Sequence, residues 1–237
     1  MGAQFREDIR QIMTGAIILA AGKGERMGNV DKAFLSLGPK PMVAYSLLAF
    51  ENCPEIIHIV LVVRRERVEA AKGLAKMFGI SKLLRIVPGG ARRQASVAAG
   101  LAALPPETAT VVIHDAARPL VTSELVSLCV ASARKNGSGI AARKVVDTVK
   151  ECDRSMRVAR TVNRDRLWAA ETPQAFSAET IRRAIAQANA DKAVVTDDAE
   201  AVERLGEAVH LVEWKQPNLK VTVVEDMQVA AALLTRG

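Results

Sequence analysis

The stretch AIILAAGKGERMG, Ala16 to Gly28, decides how the rest of this chain is read. Ala16 through Ala20 form a short, continuously apolar run, the pattern of a strand buried on both faces of a parallel sheet. Gly22 and Gly24 follow at once and free the backbone to curl, so that several N–H groups can converge on one anion. Lys23, Arg26 and Lys32 surround that turn with positive charge. An apolar strand that runs into a basic, glycine-rich turn predicts a diphosphate or triphosphate cradle at the C-terminal edge of a sheet. The spacing fits neither G-x-x-x-x-G-K-[ST] nor G-x-G-x-x-G, because Met27 stands where the third glycine would be and Gly28 comes one residue late. On glycine spacing alone an ordinary basic strand-to-loop turn is equally open.

Outward from this stretch, strand and helix patterns alternate. Ile56–Val63, Leu83–Val87 and Thr110–His114 read as further buried strands. Pro41–Asn52, Glu66–Phe78, Gln94–Ala103 and Ser123–Asn136 read as amphipathic helices. The alternation predicts an α/β fold with a mainly parallel, doubly wound, Rossmann-like sheet. Ligands of such sheets bind beyond the C-terminal strand ends, where Gly22, Gly89-Gly90 and Asp115 fall. Residues 143–166 break the rhythm: alternating Val145, Asp147, Val149 and Glu151, a turn at Asp153-Arg154-Ser155, and a return run to Val162. This is a polar β-hairpin with too little apolar surface to stand alone, and it predicts an arm that embraces a second subunit, the alternative being an ordinary edge hairpin on the same domain. Beyond it, Ala178–Ala190 and Asp197–Leu205 read as helices, Ala208–Glu213 and Asn218–Val221 as strands, and Val224–Leu234 as a closing helix. Residues 1–237 therefore read as a single domain with one arm, residues 1–14 being a flexible lead-in.

Composition narrows the function. With 49% hydrophobic residues but only 3% aromatic ones, the core is built from aliphatic side chains and no stacking platform for single-stranded nucleic acid is expected. The net charge of +7 is spread over local pairs such as Arg64-Arg65, Arg92-Arg93 and Arg182-Arg183, without a basic tract. That dispersion favours a small phosphorylated substrate over a nucleic acid. Cys53, Cys129 and Cys152 have no C-x-x-C spacing, which points to a reducing compartment and away from structural zinc. No apolar run reaches the roughly 18 residues of a membrane span, and the start of the chain lacks an apolar signal core. A cytoplasmic protein is expected.

Seven strings then fall into order: LAAGKGERMG (19–28), DKAFLSLG (31–38), GGARRQASV (89–97), HDAARP (114–119) and the trio DTVK (147–150), TVNRDRLWAAETPQAF (161–176) and NLKVT (218–222). With these motifs the chain resembles the 2-C-methyl-D-erythritol 4-phosphate cytidylyltransferases of the non-mevalonate isoprenoid pathway, from about Ala16 to the last helix. The resemblance implies transfer of CMP from CTP to a sugar-alcohol phosphate, with release of pyrophosphate. Here the nucleophile is already an anion, so no general base is required, and catalysis reduces to alignment and charge neutralisation. This agrees with a site of Arg, Lys and backbone N–H groups and with only three histidines, His58, His114 and His210.

By the same resemblance, Ala20, Ala21, Gly22 and Gly24 cradle the triphosphate, and Arg26 and Lys32 stabilise the transition state at the α-phosphate. Gly89, Gly90 and Ser96 read the cytosine, Arg92 or Arg93 adds a phosphate contact, and Ala116 lines the ribose. An alternative for the Gly89–Ser96 region is a helix start capped by local polar groups. Asp115, Arg118 and Thr172 touch the second substrate. Thr148 and Arg164 reach from the arm into the partner's site, making a homodimer part of catalysis, and Lys220 is a second positioning cation. Mg²⁺ or another divalent cation is bound mainly through CTP phosphates and water, and the Asp115 carboxylate is placed to help position it. His114 reads as a structural strand-end residue. Departures from the family pattern are Asp31, Ala33, Ala91, Asn163, Glu171 and Pro217. Within the same chemistry, a ribitol-5-phosphate cytidylyltransferase is the neighbouring possibility.

Overall fold

The computed structural model describes residues 13–22 and 31–235. In chain order the elements begin with β1 (Thr14–Ala20), the short β2 (Ser36–Leu37) and β3 (Lys40–Pro41), α1 (Met42–Glu51) and β4 (Ile56–Val63). There follow α2 (Val68–Met77), β5 (Leu83–Pro88), α3 (Arg93–Ala103), β6 (Thr110–Asp115), α4 (Ser123–Asn136) and β7 (Ser138–Lys144). The last part holds β8 (Val149–Cys152), β9 (Val158–Val162), β10 (Trp168–Ser177), α5 (Ala178–Ala190), α6 (Asp198–Glu203), β11 (Leu211–Glu213) and α7 (Val224–Leu234).

One seven-stranded sheet has the order β11-β7-β10-β6-β1-β4-β5. β1 pairs in parallel with both β4 and β6, and β4 with β5, whereas β10 runs antiparallel between β6 and β7. The period of two along β1 explains the layers. Ala16, Ile18 and Ala20 face a core with Leu47 and Phe50 of α1, Leu74 of α2 and Leu125 of α4. Ile17 faces the opposite core with Leu101 of α3, Ile181 and Ile185 of α5 and Val202 of α6. Ile17 and Ile18 are fully buried, each contributing roughly 2 kcal/mol of apolar burial. Gly100 lets α3 sit directly on β1: a Cβ there would lie 2.5 Å from Ile17 Cγ2. Leu37, Met42, Val221 and Ala230 close a small satellite core beneath α7. No helix among the described residues is long and apolar enough to cross a membrane.

The expected mainly parallel sheet is present, with the four early strands and the helices of the first half within two residues of their predicted bounds. Three expectations are corrected. The segment 218–221 is not a strand: Val221 N–H donates to Ala117 O at 2.8 Å, but no ladder follows. Arg143 and Lys144 belong to β7 rather than to the arm, and the strand expected over 208–213 is confined to Leu211–Glu213. β7 and β10 went unread because SGIAARK has an apolar run of only Ile140-Ala141-Ala142 and β10 contains Pro173, which argues against an interior strand. β10 nonetheless carries the pair through a register shift between Ala170 and Gln174, which spans that proline. β7 and β10 form the root of the hairpin: Trp168 stands opposite Lys144, and Val145 N–H donates to Leu167 O at 3.1 Å. Beyond that root, β8 and β9 pair only with each other among the described residues.

Candidate active site

The ends of four adjacent parallel strands, β6, β1, β4 and β5, open onto one cavity of about 930 Å³. β1 contributes Ala20, Ala21 and Gly22; β4 contributes Arg64, Arg65 and Glu66; β5 contributes Gly89 through Arg92; β6 contributes Asp115 to Ala117. Lys32, Arg93, Ser96 and Lys220 complete the polar wall. Cations therefore outnumber the two carboxylates, Glu66 and Asp115, and the start of α3 adds backbone N–H groups whose dipoles favour an anion. Gly24 and Arg26 lie outside the described residues.

The β5 corner is tightly built. A Cβ on Gly89 would stand 2.4 Å from Ala21 Cβ and 2.7 Å from Ser96 Oγ, so only glycine lets the β1 and β5 turns meet. Ser96 Oγ accepts from Gly90 N–H at 3.1 Å and lies 3.3 Å from Arg92 O. This hydroxyl thus pins the turn as well as lining the cavity, and the helix start itself carries no side-chain cap.

Asp115 is the electrostatic hub. Its Oδ1 accepts from Arg93 Nε at 3.1 Å and its Oδ2 from Lys220 Nζ at 2.6 Å. Burial pushes this carboxyl up, but the charges of Arg93 and Lys220 outweigh it and hold it well below the usual carboxylate range. Arg93 also donates to Asp198 Oδ2 at 2.7 Å. Burial opposes the guanidinium charge, and the Asp198 and Asp115 carboxylates overcome that opposition. Gln174 holds Asp198 in place, its Oε1 accepting from the N–H groups of Asp198 and Ala199 at 3.2 and 3.1 Å.

Beneath this hub runs a chain of hydrogen bonds that fixes the β6 loop. Asp115 N–H donates to Thr172 Oγ1 at 3.1 Å, Thr172 in turn donates to His114 Nδ1 at 3.1 Å, and His114 Nε2–H donates to Arg118 O at 3.3 Å. Burial selects the neutral imidazole, and in that form the carbonyl of Arg118 places its proton on Nε2 and leaves Nδ1 to accept from Thr172. Burial drives the His114 pKa down to about 3, against the pull of Asp115. The unfolded chain takes up this proton near pH 6.5. The folded chain refuses it until far lower pH, so stability present at neutral pH is lost as the pH falls below that value, by up to about 1.4 kcal/mol per unit. Urea unfolding between pH 7 and 4.5 should therefore give a shallower pH slope for His114→Gln than for the wild type. Equal slopes would contradict a neutral buried imidazole.

Arg118 and Thr172, expected at the second substrate, are not brought to the cavity wall. Arg118 Nη1 donates to Asn218 O at 2.7 Å, and Asn218 Nδ2 donates to Glu171 Oε2 and Thr172 O, both at 2.9 Å. Glu171 also faces Arg143 Nε at 3.2 Å. This network straps residues 218–222 to β6 and β10 and so delivers Lys220 to Asp115. Thr148 and Arg164 are exposed at the root of the arm, away from this chain's cavity, with Arg164 Nη1 donating to Val146 O. Sequence reasoning missed Arg64, Arg65 and Glu66 as wall residues and Asp198 as a partner of Arg93. For the first three the signal was available, since a charged cluster directly follows a buried parallel strand.

Among the described residues no group of three or more His, Cys, Asp or Glu is arranged to hold a metal ion. Both Asp115 oxygens are engaged by cations. Such a donor set fits a divalent cation carried by phosphate oxygens and water, not a protein cage.

A model of the 2-C-methyl-D-erythritol 4-phosphate cytidylyltransferase family matches residues 14–236. The protein of that name from Desulforamulus reducens is 43% identical over 93% of this chain and 95% of its own length. Its namesake from Dehalococcoides mccartyi is 40% identical over 94% of this chain and 96% of its own. The crystal structure of 4-diphosphocytidyl-2C-methyl-D-erythritol synthase from Anaerococcus prevotii superposes with a TM-score of 0.86 at 33% identity, covering 96% of this chain and 98% of that one. The Thermus thermophilus cytidylyltransferase superposes with a TM-score of 0.79 at 31% identity, covering 95% of this chain and 100% of that one.

Proposed function

The chain belongs to the 2-C-methyl-D-erythritol 4-phosphate cytidylyltransferase family, and from that premise we propose how its own residues carry out the transfer. A phosphate oxygen of methylerythritol 4-phosphate attacks the α-phosphorus of CTP. The new P–O bond forms as the bond to the β-phosphate breaks, and pyrophosphate leaves with that electron pair. The observation that carries this reading is the Asp115 hub, which gathers Arg93 and Lys220 at the glycine-lined strand ends beside Lys32. No proton has to be removed from the nucleophile, and the buried, neutral His114 is in no position to take one.

In this reading the Ala20-Ala21-Gly22 turn and Arg26 hold the triphosphate. Gly89, Gly90 and Ser96 hold the cytosine edge, and Ala116 lies against the ribose. Lys32 and Lys220 neutralise charge that grows on the α-phosphate and on the two oxygens in line with it. Asp115 orients Lys220 and can also accept acceptor hydroxyls, while Arg118 and Thr172 support the loop that bears it. Bound Mg²⁺, carried on the triphosphate, supplies further charge neutralisation.

The arm supplies the rest of the acceptor site in a homodimer. Val146, Met156 and Val158 are exposed on it, and the hairpin has no other strand to pair with among the described residues. A second copy that covers it brings Thr148 and Arg164 to the acceptor phosphate. The test is pyrophosphate release from CTP and Mg²⁺ with methylerythritol 4-phosphate and ribitol 5-phosphate in parallel. Release with the first acceptor alone is expected; release only with the second would overturn the choice of acceptor.

A further inference from the structure

We propose that Arg67 is a positioning residue for the reaction, acting through Asp31 to hold the Lys32 turn against the cavity. Asp31 stands at the head of the 3₁₀ turn Lys32–Phe34, yet its side chain makes no capping bond to that turn. Its carboxylate instead accepts from Arg67 Nε at 2.9 Å. The same guanidinium lies over the Phe34 ring, 5.5 Å from its centroid. One side chain thus grips the turn on both sides of Lys32, at the residue before it and at the second residue after it. Arg67 is itself anchored at the corner that follows β4, where its N–H donates to Arg64 O at 2.8 Å. On the other side, Lys32 Nζ donates to Thr222 O at 3.4 Å, two residues beyond Lys220.

Stability alone does not account for this arrangement. The Asp31 side chain is 3% exposed while that of Arg67 is 43% exposed. Asp31 Oδ1 has no hydrogen-bond partner among the described residues. A buried carboxylate with one oxygen unsatisfied is costly, and a half-exposed pair returns little of that cost. What the pair does secure is geometry. It ties the Lys32 turn to the β4 corner, and it keeps the Asp31 carboxylate from drawing the neighbouring Lys32 ammonium away from the phosphates.

This inference rests on Lys32 acting at the triphosphate, and the experiment separates the two claims. Steady-state pyrophosphate release and thermal melts are measured for the wild type, Lys32→Ala, Arg67→Ala and the double variant. Arg67→Ala should lower kcat about tenfold with little change in KM for CTP, as a misaligned catalytic group does. In the Lys32→Ala background the same change should cost almost nothing. An equal loss in both backgrounds, or an undiminished kcat in Arg67→Ala, overturns the latch. Wild-type turnover in Lys32→Ala overturns the role of Lys32 and the latch with it. If Arg67→Ala melts below the assay temperature, Asp31→Asn and Arg67→Lys are carried through the same cycle, with the same outcomes deciding.

Discussion

Lys220→Ala is expected to lower kcat by about 10²–10³-fold, the range found when one preorganised charge stabiliser is removed, with the melting temperature almost unmoved. The two halves of that expectation have separate structural grounds. The ammonium is 2.6 Å from Asp115 Oδ2 at the cavity wall, so it is already positioned to meet developing phosphate charge. For stability, the Lys220 side chain is 42% exposed, and Asp115 keeps the charge of Arg93 when Lys220 is removed. Residues 218–222 are held by other groups: the Asn218 side chain on Glu171 and Thr172, and Val221 N–H on Ala117 O. Steady-state turnover and a thermal melt on the same preparation check both halves. Turnover within tenfold of the wild type would remove Lys220 from the reaction.

Mixing Lys220→Ala with Arg164→Ala is expected to restore activity that neither variant has alone. If Arg164 serves the opposite subunit, each mixed dimer carries one site with both cations and one with neither. Random re-association of equal amounts makes about half the dimers mixed, which returns about a quarter of wild-type turnover. Arg164→Ala alone should be severely impaired, since its cation would meet a doubly charged acceptor phosphate. The check is a denature-and-refold or dilution-and-mix protocol followed by pyrophosphate release. No recovery, with mixed dimers verified by differential tagging, would place Arg164 in its own subunit's site or outside the chemistry.

The parts of this molecule that were legible in the sequence are those set by local pattern. Ala16–Ala20 announced a buried strand because every residue is apolar, and Ser123–Asn136 announced a helix because its apolar positions recur at helical spacing. The cavity's glycine corners were legible too, since Gly22, Gly89 and Gly90 directly follow such strands. What stayed hidden depends on partners distant along the chain. β10 is a strand because β6 and β7 flank it, and Pro173 argued locally against that. The short segment bearing Lys220 looked like a strand because NLKV is partly apolar. It is fixed instead by the carboxylate of Glu171 and the side chain of Arg118, neither of which its own sequence mentions. Arg118 and Thr172 show the same limit at the site: the motif marked them, but the hydrogen bonds of Arg118 to Asn218 and of Thr172 to Asp115 and His114 depend on chain segments distant from each.

The surplus of cations around the cavity has a consequence for what the site holds after turnover as well as before it. Lys32, Arg64, Arg65, Arg92, Arg93 and Lys220 greatly outnumber the local carboxylates, and fixed positive charge does not distinguish a polyphosphate about to be consumed from one just released. On the proposed reading, pyrophosphate is held by the same forces that draw in the nucleotide, and bond cleavage exchanges one phosphoanhydride for another of similar energy. The protein is a two-way valve, not a pump: net flow through it follows the concentrations of substrates and products in the surrounding solution, pyrophosphate among them.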